Sequence, residues 1–248
     1  MVIFAAKIIN NMQNMLQGIL FKEEEIPFKE LEEVGITKEE FYNLPIHIIN
    51  SIMLGRLSPV MLLKMEVDGT VYDVKGKFAF ERKKDSSVCL KIYPVNKKFP
   101  YQETFSEEEI QMLKEGRIIK AKILDNGKKV LSYIQLDPEI NTLVSVPVNR
   151  VFIPSLFDGK KLEEEEIEKI KNGDLLEIEK NGTKSVITID LLKSDNLLLI
   201  EPFSAEEWRK QRAIEWDRIT PGATGYWLTS ENGWDYQEYI EKSNGYKR

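Results

Sequence analysis

The sequence predicts an α+β protein made of tandem units, each a helix followed by an antiparallel β-meander, with a helical N-terminal cap and a Trp-rich C-terminal subdomain. Three observations predict it. Residues 105–154 read as a short acidic helix closed by Gly116, two strands around Asn126-Gly127, then a turn and a third strand. Residues 162–202 repeat that order, with Gly173 and Asn181-Gly182 in the corresponding places. All four tryptophans, Trp208, Trp216, Trp227 and Trp234, fall after this repeat. The divisions that follow are 1–44 (helical N-terminal region), 45–101 (a degenerate helix-plus-meander unit), 102–155 and 156–202 (repeat units), and 203–248 (Trp-rich segment).

Residues 2–20 form an amphipathic pattern, with Phe4, Ile8, Met12, Met15 and Ile19 at spacings of three and four. Two roles suit such a helix: packing on the body of the protein, or serving as an oligomer or partner helix whose methionines adapt to what they touch. Lys7, Asn10, Asn11 and Gln13 interrupt it, so it is not a membrane span. It lacks the basic start and clean cleavage site of a signal peptide. Residues 27–34 then read as a short helix presenting Phe28, Leu31 and Val34, closed by Gly35. Thr37 caps a second helix with Glu39 and Glu40 in its first turn. Pro45 opens a third, apolar helix that stops at Gly55.

Residues 60–67 and 71–80 are strands about Asp68-Gly69, and 88–93 is a third strand. The order matches the two clear units at looser spacing. It is either a third copy or an independent instance of a common arrangement. His47, the only histidine, sits on the apolar third helix without a partner for acid–base work and reads as structural. Cys89 reads as a small core residue. A single cysteine excludes an intramolecular disulfide and fits a reducing cytosol.

In the two clear units the first helical turns carry Glu107, Glu108 and Glu109, then Glu163, Glu164, Glu165 and Glu166, where carboxylates favour the helix dipole. Ser106 with Glu109 makes a capping box. Ile110 and Leu113, then Ile167 and Ile170, line one face. Gly116 and Gly173 suit left-handed helix ends, and Asn-Gly marks the hairpins. One such unit cannot bury its apolar faces alone, so neighbours should pack together. Residues 147–161 form a linker whose Val151, Phe152, Ile153, Leu156 and Phe157 suggest that it is packed down. Pro147 and Pro154 exclude a central strand there.

In the last segment Ser204 and Glu207 make a capping box that opens a helix to about residue 217. A turn at 221–225 and a short strand at 226–228 follow, and Trp234, Tyr236, Tyr239 and Ile240 read as a short helix. The tail from Ser243 should be disordered. The candidate partner-binding residues are Trp208, Arg209, Arg212, Trp216, Tyr226, Trp227, Trp234 and Tyr236, because Trp, Tyr and Arg dominate binding hot spots. The same residues could stack on bases and contact phosphates, or the tryptophans could be core.

A net charge of −6 and a pI near 5.2 argue against a whole-protein electrostatic grip on nucleic acid. One histidine and one cysteine rule out the ordinary zinc sites. No Walker loop, dinucleotide fingerprint or EF-hand spacing is present. The sequence therefore assigns no catalytic residue, no metal and no cofactor.

The run IPFKELEEVGITKEEFYNLP, the turn to Gly55 and the paired "EEEI-x-x-[LI]-K-x-G" segments resemble uncharacterised domain families of proteins carried on conjugative elements in gut anaerobes. The resemblance spans about residues 26–202. It implies mobile-element biology near DNA-processing genes and carries no catalytic residue over. The resulting expectation is a cytoplasmic, non-catalytic interaction protein, binding a protein partner or itself. The alternative is a nucleic-acid accessory protein using the basic, aromatic C-terminal segment.

Overall fold

A computed structural model describes residues 20–98, 105–125, 127–157, 160–180, 182–192, 198–229 and 233–238. The expected N-terminal helix with Phe4, Ile8, Met12, Met15 and Ile19 lies outside the described residues, as do Tyr239, Ile240 and the tail. A 3-10 turn at Glu23–Glu25 leads into α1 (Phe28–Glu33), α2 (Lys38–Tyr42) and α3 (Ile46–Met53). Strands β1 (Met61–Val67), β2 (Thr70–Arg82) and β3 (Val88–Pro94) follow. Helix α4 (Glu107–Lys114) opens the meander β4 (Ile119–Asp125), β5 (Lys128–Asp137) and β6 (Thr142–Pro147). The two-residue strands β7 (Leu156–Phe157) and β8 (Lys160–Lys161) precede α5 (Glu164–Lys171) and the meander β9 (Leu176–Lys180), β10 (Thr183–Ile189) and β11 (Leu198–Glu201). The described chain ends with α6 (Ala205–Arg218), β12 (Thr224–Leu228) and β13 (Trp234–Glu238). The fold is α+β, and three times a helix, a glycine at positive φ, a hairpin and a third strand follow in that order.

The chain divides into two compact units. The first comprises residues up to Arg82, Val88–Val95 and those from Thr220 on; the second comprises Lys83–Ser87 and Asn96–Ile219.

The first unit holds a five-stranded sheet in the order β13-β12-β1-β2-β3. Asp68 and Gly69 both have positive φ, 50° and 76°, as a two-residue hairpin turn requires, so β1 and β2 pair from the turn inward. Alternation then puts Met61, Leu63, Phe78 and Phe80 on one face. Helices α1–α3 bury Leu31, Phe41, Ile48, Ile49 and Ile52 against that face. The helical layer also ties down backbone groups of the sheet. The Glu30 carboxylate accepts from the Leu90 amide at 2.6 Å, the Val34 carbonyl from the Lys64 amide at 2.9 Å, and the Glu40 carbonyl from the Trp234 indole at 2.7 Å.

In the second unit two three-stranded sheets, β4-β5-β6 and β11-β10-β9, carry one helix each. Ser106 and Glu109 cap α4 reciprocally. Glu163 stands just before α5 and not inside its first turn, and its amide donates to the Glu166 carboxylate at 3.0 Å. Gly116 (φ 76°) and Gly173 (φ 81°) close the helices. Each is also a point of close approach. A Cβ on Gly173 would stand 2.6 Å from Ile118 Cγ1, and one on Gly116 would stand 2.9 Å from Trp216 Cζ2. Gln135 is fully buried between the two helix-plus-meander segments. Its amide donates to the Gly116 carbonyl at 2.9 Å and its oxygen accepts from the Leu191 amide at 2.6 Å. Tyr133 adds a bond from its hydroxyl to the Lys171 carbonyl at 2.9 Å.

Three expectations change. Residues 203–248 do not form one body: α6 belongs to the second unit and β12–β13 to the first. Each half fills a vacancy of its own, Trp208 beside Val186 and β12 alongside β1. Second, Trp234–Glu238 is a strand and not a helix, because pairing with β12 satisfies its backbone while its residues alternate Trp-Asp-Tyr-Gln. Third, the linker is packed down only in part. Val151, Ile153 and Phe157 join the core, whereas Phe152 and Leu156 are exposed.

Candidate functional site

Helix α6 begins at Ser204, whose capping box with Glu207 is as the sequence predicts. Glu177 on β9 accepts from the Ala205 amide at 2.9 Å, and this bond, with one from Lys184, holds the Glu177 carboxyl below its usual range. Trp208 is 3% exposed and packs with Val186, Leu175, Phe203 and Ala205. Trp216 packs on the core around Leu113, Ile119 and Ile134. Between them on the same helix face, the Arg212 guanidinium lies 5.6 Å from each indole ring. Its Nη2 donates to Asp190 Oδ2 at 2.8 Å. The side chains of this ion pair are only 16% and 6% exposed, so water screens it little. Asp190 also accepts from the Leu192 amide at 3.0 Å, which fixes the turn after β10. An arginine suits the position because its plane stacks on aromatic faces while its edge reaches a carboxylate.

Trp208, Arg212 and Trp216 are thus brought together, and all three are engaged inside the second unit. Arg209 is exposed on the same helix. Of the other cations there, Lys210 pairs with Glu206 at 2.7 Å. In the first unit the β12–β13 hairpin carries Tyr226, Trp234 and Tyr236 on one face. Tyr226 and Trp234 pack on the core beneath the helices. Tyr236 is exposed, meets Tyr226 edge-on at 5.4 Å and donates to Thr224 Oγ1 at 3.0 Å. Trp227 falls on the opposite face, opposite Asp235.

Besides Phe152 and Leu156 of the linker, exposed apolar side chains lie at two hairpin ends. On β1–β2, Val67, Val71 and Tyr72 are 51%, 59% and 52% exposed. On β4–β5, Leu124 and Leu131 are 74% and 45% exposed. The signal for the first was present: β2 is 13 residues long, and VDGTVYD places apolar residues on both faces beside its turn.

A separate feature fastens the start of the described chain. Glu25 receives two bonds from Arg82, at 2.8 and 3.1 Å, and Arg82 also donates to the Leu20 carbonyl at 3.1 Å. Arg82 holds the Glu25 carboxyl down at about 2. Burial, then the Glu23 carboxylate that its hydroxyl meets at 2.8 Å, pushes Tyr42 up to about 12. His47 is exposed on α3, and Cys89 is half-buried with its Sγ 3.4 Å from the Glu81 carbonyl. Among the described residues no group of three or more His, Cys, Asp or Glu side chains could hold a metal ion. Among the described residues no helix is long and apolar enough to cross a membrane.

Residues 21–103 match the family model described as protein of unknown function (DUF4099). An uncharacterised family is therefore supported for the stretch that carries α1–α3 and β1–β3. No curated protein and no solved structure matches the chain. The DUF4099-like stretch contains the β1–β2 hairpin with its exposed apolar end, and the β4–β5 hairpin lies beyond it.

Proposed function

We propose that the protein is a non-catalytic, cytoplasmic adaptor of mobile-element biology that works by holding a protein partner. The observation that carries this reading is the exposed apolar end of the β1–β2 hairpin, formed by Val67, Val71 and Tyr72. Neighbouring apolar side chains at a strand end are costly to leave in water and mark contact surfaces. The mobile-element setting rests on the resemblance in sequence, to which the DUF4099 match adds an uncharacterised family over part of the same stretch. Among the expected C-terminal contact residues, exposed Tyr236 and Arg209 remain candidates. The nucleic-acid alternative has weaker support, because Arg212 and Lys210 are paired with carboxylates and Trp208 is buried.

The test is a tagged pull-down from the cells that make the protein, with and without nuclease. A partner protein should survive nuclease and be lost with Val71→Ser plus Tyr72→Ser, while Arg209→Ala keeps it. Capture that disappears with nuclease overturns the reading in favour of nucleic acid.

A further inference from the structure

The two exposed hairpin ends differ in charge. From Met65 to Val74 the first carries three carboxylates, Glu66, Asp68 and Asp73, and no cation. From Lys120 to Leu131 the second carries four lysines, Lys120, Lys122, Lys128 and Lys129, against one carboxylate, Asp125. Register sorts these residues by face. Lys64 stands opposite Asp73 and Glu66 opposite Val71, so Lys64, Glu66, Val71 and Asp73 share the face opposite Met61 and Leu63; the Lys64 stem lies back against Gly35, which leaves Glu66 and Asp73 as the charges nearest the turn. Lys120 stands opposite Tyr133, Lys122 opposite Leu131 and Leu124 opposite Lys129, so these share one face; its inner end is taken up, with Tyr133 buried in the second core and Lys120 bonded to Asn172, while Lys122, Leu124, Lys129 and Leu131 are exposed at its outer end. Lys84 adds to the basic end, its Nζ lying 3.7 Å from where a Cβ on Gly127 would stand. Among the described residues, Glu66, Asp73, Lys122 and Lys129 have no ion-pair partner.

We propose that the acidic β1–β2 end of one copy of this chain docks on the basic β4–β5 face of a second copy. Deepening the adaptor reading on which it rests, this names the partner of one face of that hairpin end, the face of Val71; Val67 and Tyr72 lie on the other. Val71 would meet Leu124 and Leu131, while Glu66 and Asp73 would face Lys122 and Lys129. The contact is heterologous: each copy offers one end of each kind, so association continues into short chains or closes as a ring. Two hairpin ends bury much less than the ~1,600 Å² of a standard stable interface, so the association is weak and builds up only at high concentration.

The experiment is sedimentation velocity on the purified full chain, with nucleic acid removed, over a range of concentrations. The average mass should climb above the 28.8 kDa of one chain. Raising salt from about 0.05 to about 0.5 M should weaken the dissociation constant by about tenfold, since the Debye length falls to a few Å. Two charge-reversed variants follow, Glu66→Lys plus Asp73→Lys, and Lys122→Glu plus Lys129→Glu. All four sites are exposed, so circular dichroism should match the wild type. Each variant alone should be a monomer, and an equal mixture of the two should associate again. A wild type that stays monomeric throughout, variants that still associate singly, or a mixture that fails to recover would each overturn the proposal. So would retention of added single-stranded oligonucleotide by the wild type that is lost only in the lysine variant, which would give that face to nucleic acid. If the purified chain is monomeric while the pull-down still yields another protein, only the self-docking falls; if both fail, the adaptor reading falls with it.

Discussion

Gly116 and Gly173 occupy the same place in two segments of the same design, yet different things cover them. Both end an eight-residue acidic helix and both adopt a φ near 80°, as a left-handed cap requires. Gly173 is covered by Ile118 from the preceding segment, whereas Gly116 is covered by Trp216 and Arg212 from α6. The comparison teaches that a cap glycine here does two jobs. It lets the chain reverse, and its missing side chain makes the seat on which the next element packs. The first job is written locally in the sequence. The second depends on what arrives from elsewhere, and α6 arrives only after both meanders are complete.

The largest effect should come from Trp208→Ala, which empties the site beside Val186 and removes one ring under Arg212; a loss of about 3–5 kcal/mol is expected in chemical denaturation of the second unit. Asp190→Asn leaves the Arg212 guanidinium without its counter-charge in a poorly hydrated place. A cost of about 3 kcal/mol is expected, and Arg212→Met in the same background should restore part of it. Gln135→Leu keeps the volume but orphans the Gly116 carbonyl and the Leu191 amide; about 2 kcal/mol is expected from the same measurement.

The smallest effect concerns the first unit and acid. Glu25 has its folded-state carboxyl lowered from 4.5 to about 2 by Arg82. A lowered value favours the folded state when the carboxyl is ionised, so this contribution is complete above pH 4.5 and is lost as pH falls through about 2. Melting curves across that window should fall less steeply for Glu25→Gln than for the wild type.

Much of the fold was legible because its signals are local. Ser106 with Glu109, Ser204 with Glu207 and Thr37 with Glu40 all make the capping boxes or caps that their spacing suggests. The glycines at 116, 173 and 55 end their helices at positive φ. The partition of the Trp-rich segment was not legible, because nothing local tells Trp208 that Val186 lacks a neighbour, or tells Tyr226 that the Val60 carbonyl will accept from its amide at 2.8 Å. Composition alone marked Trp208, Arg212 and Trp216 as contact residues. Their spacing of four along one helix face equally suits the indole–guanidinium stack that forms inside the unit. The hairpin ends are illegible in sequence for the opposite reason: single valines and leucines between charges are ordinary surface residues, and only the pairing of the strands shows Val67, Val71, Leu124 and Leu131 exposed at a turn.

The most direct test of the two jobs assigned to a cap glycine is the unfolding free energy of Gly173→Ala set beside that of Gly182→Ala. Both positions have positive φ, 81° and 77°, and a Cβ at Gly182 would meet nothing within 4 Å. Each alanine should cost about 1 kcal/mol for its left-handed backbone. Gly173→Ala should cost about 1–3 kcal/mol more, because its methyl overlaps Ile118. Equal costs at the two positions would contradict the account, leaving Gly173 as a turn residue and nothing else.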